Sequence, residues 1–257
     1  MYTRPRIIPV LLIDDRDLVK TIRFKNTRYL GDPVNAVKIF NRKRVDELAI
    51  LDISASRLHK SPDFSFLEDI ASEAFMPLSY GGGITDVNQA KKLLAIGYEK
   101  ITINTAFTYN PQLIKDLVSS VGSQSVVVSI DAVRKNDQYY CVINDGTKKI
   151  NKTPQEMAIL AEKLGAGEIL LNSVNNDGKM QGYDIELVKK VADCVNVPVI
   201  ACGGAGGIQD LKKVLHDGHA HAASGGSMFV YYGRLNAVLI TAPSEEELIE
   251  AGIYDKN

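Results

Sequence analysis

The chain repeats itself at a spacing of 121 residues. Met76-Pro77-Leu78-Ser79-Tyr80-Gly81-Gly82-Gly83 is matched by Val197-Pro198-Val199-Ile200-Ala201-Cys202-Gly203-Gly204, so that Pro77 pairs with Pro198 (198 − 77 = 121). The same offset carries Glu47-Leu48 onto Glu168-Ile169 and Gly97 onto Gly218. A glycine-rich motif, the strand before it and the strand after it all recur at one interval. The chain therefore reads as two fused half-domains.

Short apolar runs mark the strands: Ile7–Leu12, Leu48–Ile53, Leu78–Tyr80, Lys100–Ile103, Ser125–Ile130, Glu168–Leu171, Pro198–Cys202 and Ala220–Ser224. Each is bounded by Gly, Asp, Asn or Pro, as buried strands are. Helical patterns lie between them, among them Asp86–Ile96, Pro111–Val121, Pro154–Leu164 and Ile185–Cys194. Thr85 and Thr153 suit N-caps, and Pro111 and Pro154 suit a first helical turn. Strands alternating with helices build a parallel sheet. Eight of them in a two-fold repeat close as a (β/α)8 TIM barrel, one domain over residues 1–257. An open doubly wound sheet leaves the repeat unexplained.

A net charge of −1 gives no electrostatic footprint for nucleic acid or an anionic membrane, so any phosphate must be held locally by loops and helix N-termini. Cys141, Cys194 and Cys202 have no CxxC spacing, and no disulfide framework or zinc signature is expected. No apolar run precedes Arg6 and none approaches a membrane span, so a cytoplasmic enzyme is expected.

Gly81-Gly82-Gly83 and Gly203-Gly204-Ala205-Gly206-Gly207 end strands three and seven. Glycine lets the backbone approach a phosphate, and the following helix offers free N–H groups. A single such motif could be a tight turn; two in register point to an elongated substrate with a phosphate at each end. Gly225-Gly226-Ser227 would share the second site, and Asn104-Thr105 the first. Asp131 ends strand five and suits a general acid or base. Asp52 and Asp177 hold similar rims, although Asp177-Gly178 also suits a turn. Arg6, Glu47, Lys100 and Glu168 open strands one, two, four and six, and turned inward they would form a charged ring. His219 and His221 share a face but lack a third ligand, so no metal site is expected. Cys202 reads as a small buried residue. Two long connections, Asp14–Asp32 and Val133–Lys152, should cover the catalytic face. The first is expected to be a mobile lid, and the second to hold a hairpin of Tyr139–Ile143 followed by Asn144-Asp145-Gly146.

Over nearly its full length the chain resembles the cyclase subunit family of imidazole glycerol phosphate synthase, the HisF type. The matching stretches include Gly31-Asp32-Pro33-Val34, Leu51-Asp52-Ile53-Ser54-Ala55-Ser56, Ile103-Asn104-Thr105-Ala106, Gly165-Ala166-Gly167-Glu168-Ile169 and both glycine loops. The resemblance implies a glutaminase partner, with ammonia passing through the barrel to a bis-phosphorylated substrate. No cofactor is implied. Arg6, Glu47, Lys100 and Glu168 match the family's ammonia gate, Lys20 its loop-one lysine, and Asp131 one of its two catalytic aspartates. The other aspartate is absent. Arg6-Ile7-Ile8-Pro9-Val10-Leu11-Leu12 puts Leu12 in its place, and aligning Ile8 with Val127 sets Leu12 opposite Asp131. Asp14 and Asp15 fall outside the strand register on this reading. Asn172 and Cys202 replace a family Thr and Ser, and Tyr231–Asn257 departs from the pattern.

These departures are similar to a divergent branch linked to surface-polysaccharide sugar amidation, in which such a barrel and a glutaminase feed ammonia to a sugar amidotransferase. An ammonia-conducting barrel subunit is one expectation. A working cyclase that uses a nearby acid is the alternative. A related sugar-phosphate isomerase needs no glutaminase and leaves the ring unexplained.

Overall fold

A computed structural model describes residues 4–255. The barrel strands are β1 (Arg6–Asp14), β2 (Leu48–Asp52), β3 (Leu78–Gly81), β4 (Lys100–Ile103), β5 (Val126–Lys135), β6 (Glu168–Ser173), β7 (Val199–Cys202) and β8 (Ala222–Gly225). Each runs parallel to its neighbours, and pairing of β5 with β6 and of β8 with β1 closes the sheet into a (β/α)8 barrel. Around it lie α1 (Pro33–Lys43), α2 (Phe64–Ser72), α3 (Val87–Ala95), α5 (Gln112–Val121), α6 (Pro154–Lys163), α7 (Ile185–Ala192), α8 (Ile208–His216) and α10 (Glu245–Glu250). Two short helices, α4 (Thr105–Tyr109) and α9 (Ser227–Val230), follow β4 and β8.

The repeat is written into the hydrogen-bond register. Leu48, Ala49, Ile50 and Leu51 face Leu78, Ser79, Tyr80 and Gly81. Ile169, Leu170, Leu171 and Asn172 face Val199, Ile200, Ala201 and Cys202, the same pairing moved on by 169 − 48 = 121. The entry bonds match as well: Leu48 N donates to Pro77 O at 2.9 Å and Ile169 N to Pro198 O at 3.0 Å.

Alternation along β1 divides the core in two. Ile8, Val10 and Leu12 point into the barrel with Ala49, Val127, Leu170, Ile200 and Ala222. Ile7, Leu11 and Ile13 point out against the helices. Local signals start the helices: Asp32 caps α1 ahead of Pro33, and Thr153 forms a capping box with Glu156 on α6. Thr85 does not cap α3. Asp86 does, accepting from Asn88 N and Gln89 N at 2.8 and 3.0 Å, while Thr85 N is taken by Gln89 Oε1. Pro111 stands just before α5 with a helical φ of −59°.

The long connections are sheet. The segment after β1 is an antiparallel hairpin, Asp17–Ile22 with Lys25–Gly31, hydrogen-bonded to β1 itself. Where the sequence suggests a lid, the segment extends the barrel sheet, with Leu18, Val19, Lys20 and Thr21 buried. Its turn residues Arg23 and Phe24 both have positive φ (53° and 61°), as a two-residue turn matching strand twist requires. After β5, Gln138–Ile143 pairs back on β5 across Asn136-Asp137, and Asn144–Thr147 turns into Lys148–Lys149. Among the described residues no helix is long and apolar enough to cross a membrane.

Candidate functional site

A cavity of about 650 Å³ opens at the C-terminal ends of the strands. Both hairpin segments help to wall it, through Lys20, Phe24 and Thr27 on one side and Asn144 and Asp145 on the other. Gly82, Gly83, Asn104 and Thr105 line it from the first half, and Asp131, Asp177 and Gly226 from the second. Gly178, Gly203, Gly204, Gly225 and Ser227 lie outside that wall. In Gly203 and Gly204, with φ of 88° and 114°, an added Cβ would come within 2.6 Å of Ser173 O and 2.1 Å of Gly182 O. These glycines let the loop after β6 pack onto β7.

Asp131 sits in a polar cage. Asn104 Nδ2 donates to its Oδ2 at 2.9 Å, and Asn172 is its partner across the β5–β6 ladder. Burial pushes its pKa up to about 7; bonds from Asn104 and Asn172 oppose the rise, while Asp177 and Asp145 reinforce it. Such a carboxyl can give or take a proton near neutrality. Lys20 Nζ lies 3.5 Å from Asp177 Oδ1, both side chains being buried, and the Lys20 stem rests against Gly226. Thr21 Oγ1, Asn172 Oδ1, Asp177 Oδ2 and Ser227 Oγ are buried without a protein partner. Unsatisfied buried polar atoms are rare enough to mark a place that handles polar ligands.

Leu12 holds the position equivalent to Asp131. It pairs with Leu51 as Asp131 pairs with Asn172, its repeat partner. Its surroundings are apolar: Val10, Val19, Leu51 and Ile53. Asp14 corrects the sequence reading. β1 does not end at Leu12 but runs on to Asp14, because the strand feeds directly into the hairpin through a two-residue turn. Asp14 is thus two residues along the same face and lines the cavity. Arg57, which sequence reasoning did not single out, stands 3.8 Å from Asp14 and 3.7 Å from Asp145.

At the other end of the barrel the four strand-opening charges do meet. Arg6 Nη1 reaches Glu47 at 2.6 Å and its Nη2 reaches Glu168 at 2.8 Å. Lys100 Nζ bridges the same two carboxylates at 2.8 and 3.1 Å. Each anion touches both cations, so the ring closes across the axis. Burial works against the Arg6 charge, yet Glu168 and Glu47 hold its pKa above the usual value. The histidines do not act together: His219 pairs with Asp193 at 2.6 Å, and His221 Nδ1 faces Val199 N at 3.3 Å. Among the described residues no three His, Cys, Asp or Glu side chains cluster as a metal site would need. Cys202 is buried, and burial raises its thiol pKa to about 11. A thiol so protonated is no nucleophile at neutral pH.

A model of the family described as histidine biosynthesis protein matches residues 6–236. The chain belongs to this family. A Leptospira interrogans relative provisionally named imidazole glycerol phosphate synthase subunit HisF is 48% identical over 246 residues, covering 95% of this chain and 97% of that protein. A Pseudomonas aeruginosa relative provisionally named subunit hisF2 is 46% identical over 246 residues, or 95% and 98%. Imidazole glycerol phosphate synthase subunit HisF of Petrotoga mobilis is 40% identical over 228 residues, or 88% and 90%. In this HisF-type member, then, one strand end of the barrel holds a closed charge ring. The opposite end holds a cavity with one catalytically suited carboxyl at Asp131 and a leucine at its symmetry mate.

Proposed function

We propose that the chain is the barrel subunit of a glutamine amidotransferase system. It pairs through its ring face with a glutaminase subunit and conducts ammonia along the barrel axis. The recipient is a sugar amidotransferase of surface-polysaccharide biosynthesis. The observation that carries this reading is a complete ring beneath an incomplete carboxylate pair. Ring closure by Arg6, Glu47, Lys100 and Glu168 supports a gate. Beyond it the axis is lined by Ile8, Ala49, Val127, Leu170 and Ile200. Neutral ammonia crosses such a lining far more cheaply than ammonium, whose charge pays heavily for leaving water. Leu12 carries the apolar lining up to the cavity floor.

On this reading one phosphate fits at Gly82-Gly83 and the other beside Gly226, while Gly203 and Gly204 serve packing. Asn104-Thr105 opens α4 and Gly226-Ser227 opens α9, so each half supplies a short helix start beside its loop. Cytoplasmic residence accords with the free cysteines.

A second reading is a working cyclase of histidine biosynthesis. The near-neutral Asp131, the presence of Asp14 on the Leu12 face and the names of the relatives favour it. In that case Asp14 replaces the missing acid.

The test is co-purification with the cognate glutaminase and assay of glutamine hydrolysis with and without the barrel. The ammonia reading expects a complex that hydrolyses glutamine and releases ammonia without making an imidazole product. A barrel that neither binds nor stimulates its glutaminase overturns it; imidazole formation that disappears in Asp14→Asn establishes the second reading instead.

A further inference from the structure

We infer that the hairpin Tyr231–Leu239, with the neighbouring edge of the Asp17–Gly31 hairpin, is the docking surface for the protein that receives ammonia from the cavity. The partner it fits presents an apolar patch rimmed by carboxylates. This inference rests on the ammonia-delivery reading and names where the acceptor sits.

Tyr231–Tyr232 and Ala237–Val238 form a two-stranded sheet that pairs with no other strand among the described residues. It directly follows α9, and so stands on the same rim as the cavity. The hairpin is fixed from beneath: Leu239 N donates to Val230 O and Thr241 N to Phe229 O, both at 2.9 Å. Its exposed side chains are mostly apolar and stand on both faces, Tyr232 on one and Val238 on the other. Tyr232, Leu235, Val238 and Leu239 are exposed, Leu235 to 93%. A run of large apolar side chains held out by an ordered backbone marks an interaction site rather than a loose loop.

Apart from Asp17 at the start of the first hairpin, the charged residues of the two hairpins are positive. Tyr231–Ser244 contains no acidic residue, and Arg234 stands exposed at the turn. The adjoining hairpin has none between Leu18 and Gly31, but exposes Arg23, Lys25 and Arg28. Arg28 joins the two hairpins, with Nη1 3.4 Å from Asn236 O and its guanidinium 5.2 Å from the Tyr231 ring centroid. The same first hairpin supplies Lys20, Phe24 and Thr27 to the cavity wall. Like charge argues against a second copy of this chain as the occupant.

The experiment places a photo-crosslinking residue at Tyr232, at Leu235 and, as a control, at Lys91 in the full chain, in the cells that make it. The first two positions should capture one protein other than the glutaminase, and Lys91 should not. That protein, identified by mass spectrometry and purified, should bind the wild-type complex and aminate its substrate from glutamine. Leu235→Asp with Leu239→Asp should weaken binding roughly 100-fold or more, as loss of central apolar anchors does. Raising salt from about 50 to about 300 mM should weaken it several-fold. Glutaminase activation should not change. Capture of the glutaminase, of a second copy or of nothing overturns the inference. So does wild-type co-flotation with phosphatidylcholine–phosphatidylglycerol vesicles that the double variant loses, which would assign the hairpin to lipid. If the chain binds no glutaminase, the ammonia reading falls on its own, while capture and affinity still decide the docking surface.

Discussion

The two halves of this barrel share one frame and differ in what they place on it. From β2 to β3 and from β6 to β7 the strand register is identical under the 121-residue shift. At the inner rim the halves part. The second half puts Asp131 between two asparagines, where burial, against the asparagine bonds, keeps its proton near neutral pH. The first half puts Leu12 among Val10, Val19, Leu51 and Ile53. The change is coordinated, because Leu51 also replaces the equivalent of Asn172. An isolated Asp-to-Leu replacement would leave amide partners facing an apolar side chain; here the neighbours are apolar too. The lesson is that a duplicated frame keeps its hydrogen-bond register under strict constraint, while the inward tier at the rim is free to change chemistry. The bottom tier shows the converse, since Glu47 and its repeat partner Glu168 are both retained and both bind Arg6 and Lys100.

The largest effect should come from breaking that retained pair. Glu47→Ala leaves two partly buried cations sharing one carboxylate, a change worth up to about 3–5 kcal/mol. Glu168→Ala should cost less, because its side chain is 13% exposed against 4% for Glu47. Urea unfolding with unchanged slope reads both. Losses under about 1 kcal/mol for each would show a solvated, idle ring.

Next is the pH response of Asp131. Its folded pKa lies above the unfolded value, so between about pH 4 and pH 7 the folded state holds a proton that the unfolded chain has released. Stability therefore falls as pH rises through that window. Three units at about 1.36 kcal/mol each bound the loss near 4 kcal/mol. Asp131→Asn should flatten the fall and be the more stable protein at pH 8, as seen in Tm from pH 5 to 8. An unchanged slope would place the titration elsewhere.

The smallest effect concerns the bridge between the halves. Arg57 links Asp14 of the first half to Asp145 of the second at 3.8 and 3.7 Å, and is itself 55% exposed. Arg57→Ala should lower stability by less than about 1 kcal/mol. A larger loss, read in the same urea titration, would mean that this bridge locks the cavity mouth.

Much of this was legible in the sequence because proline and glycine spacing survives duplication. Pro77 and Pro198 located the repeat, and the ring followed from charges at equivalent strand starts. The Leu12–Asp131 correspondence came from the strand-one pattern of the family the chain resembles, with which aligning Ile8 to Val127 agrees. What escaped was the behaviour of the chain above the rim. Asp15-Arg16 and Arg23-Phe24 turn with positive φ but contain no glycine, so the hairpin gave no turn signal and β1 seemed to end two residues early. Thr85 and Asp86 are adjacent, equally competent caps, and only tertiary geometry chose between them. Arg57 meets Asp145 across 88 residues of chain (145 − 57 = 88), a contact that no local pattern encodes.

The central claim is that Leu12 removed one member of the acid–base pair while the barrel kept its conduit. Steady-state turnover of the bis-phosphorylated histidine-pathway substrate with free ammonia tests it most directly, in wild type and in Leu12→Asp. Wild type should run about 10²–10⁴-fold below a subunit with both carboxylates, the usual contribution of one positioned acid or base. Leu12→Asp should raise turnover, since the new carboxylate would face Asp131 across the cavity floor. Wild-type turnover within a few-fold of a two-carboxylate subunit would contradict the claim and make the chain a cyclase.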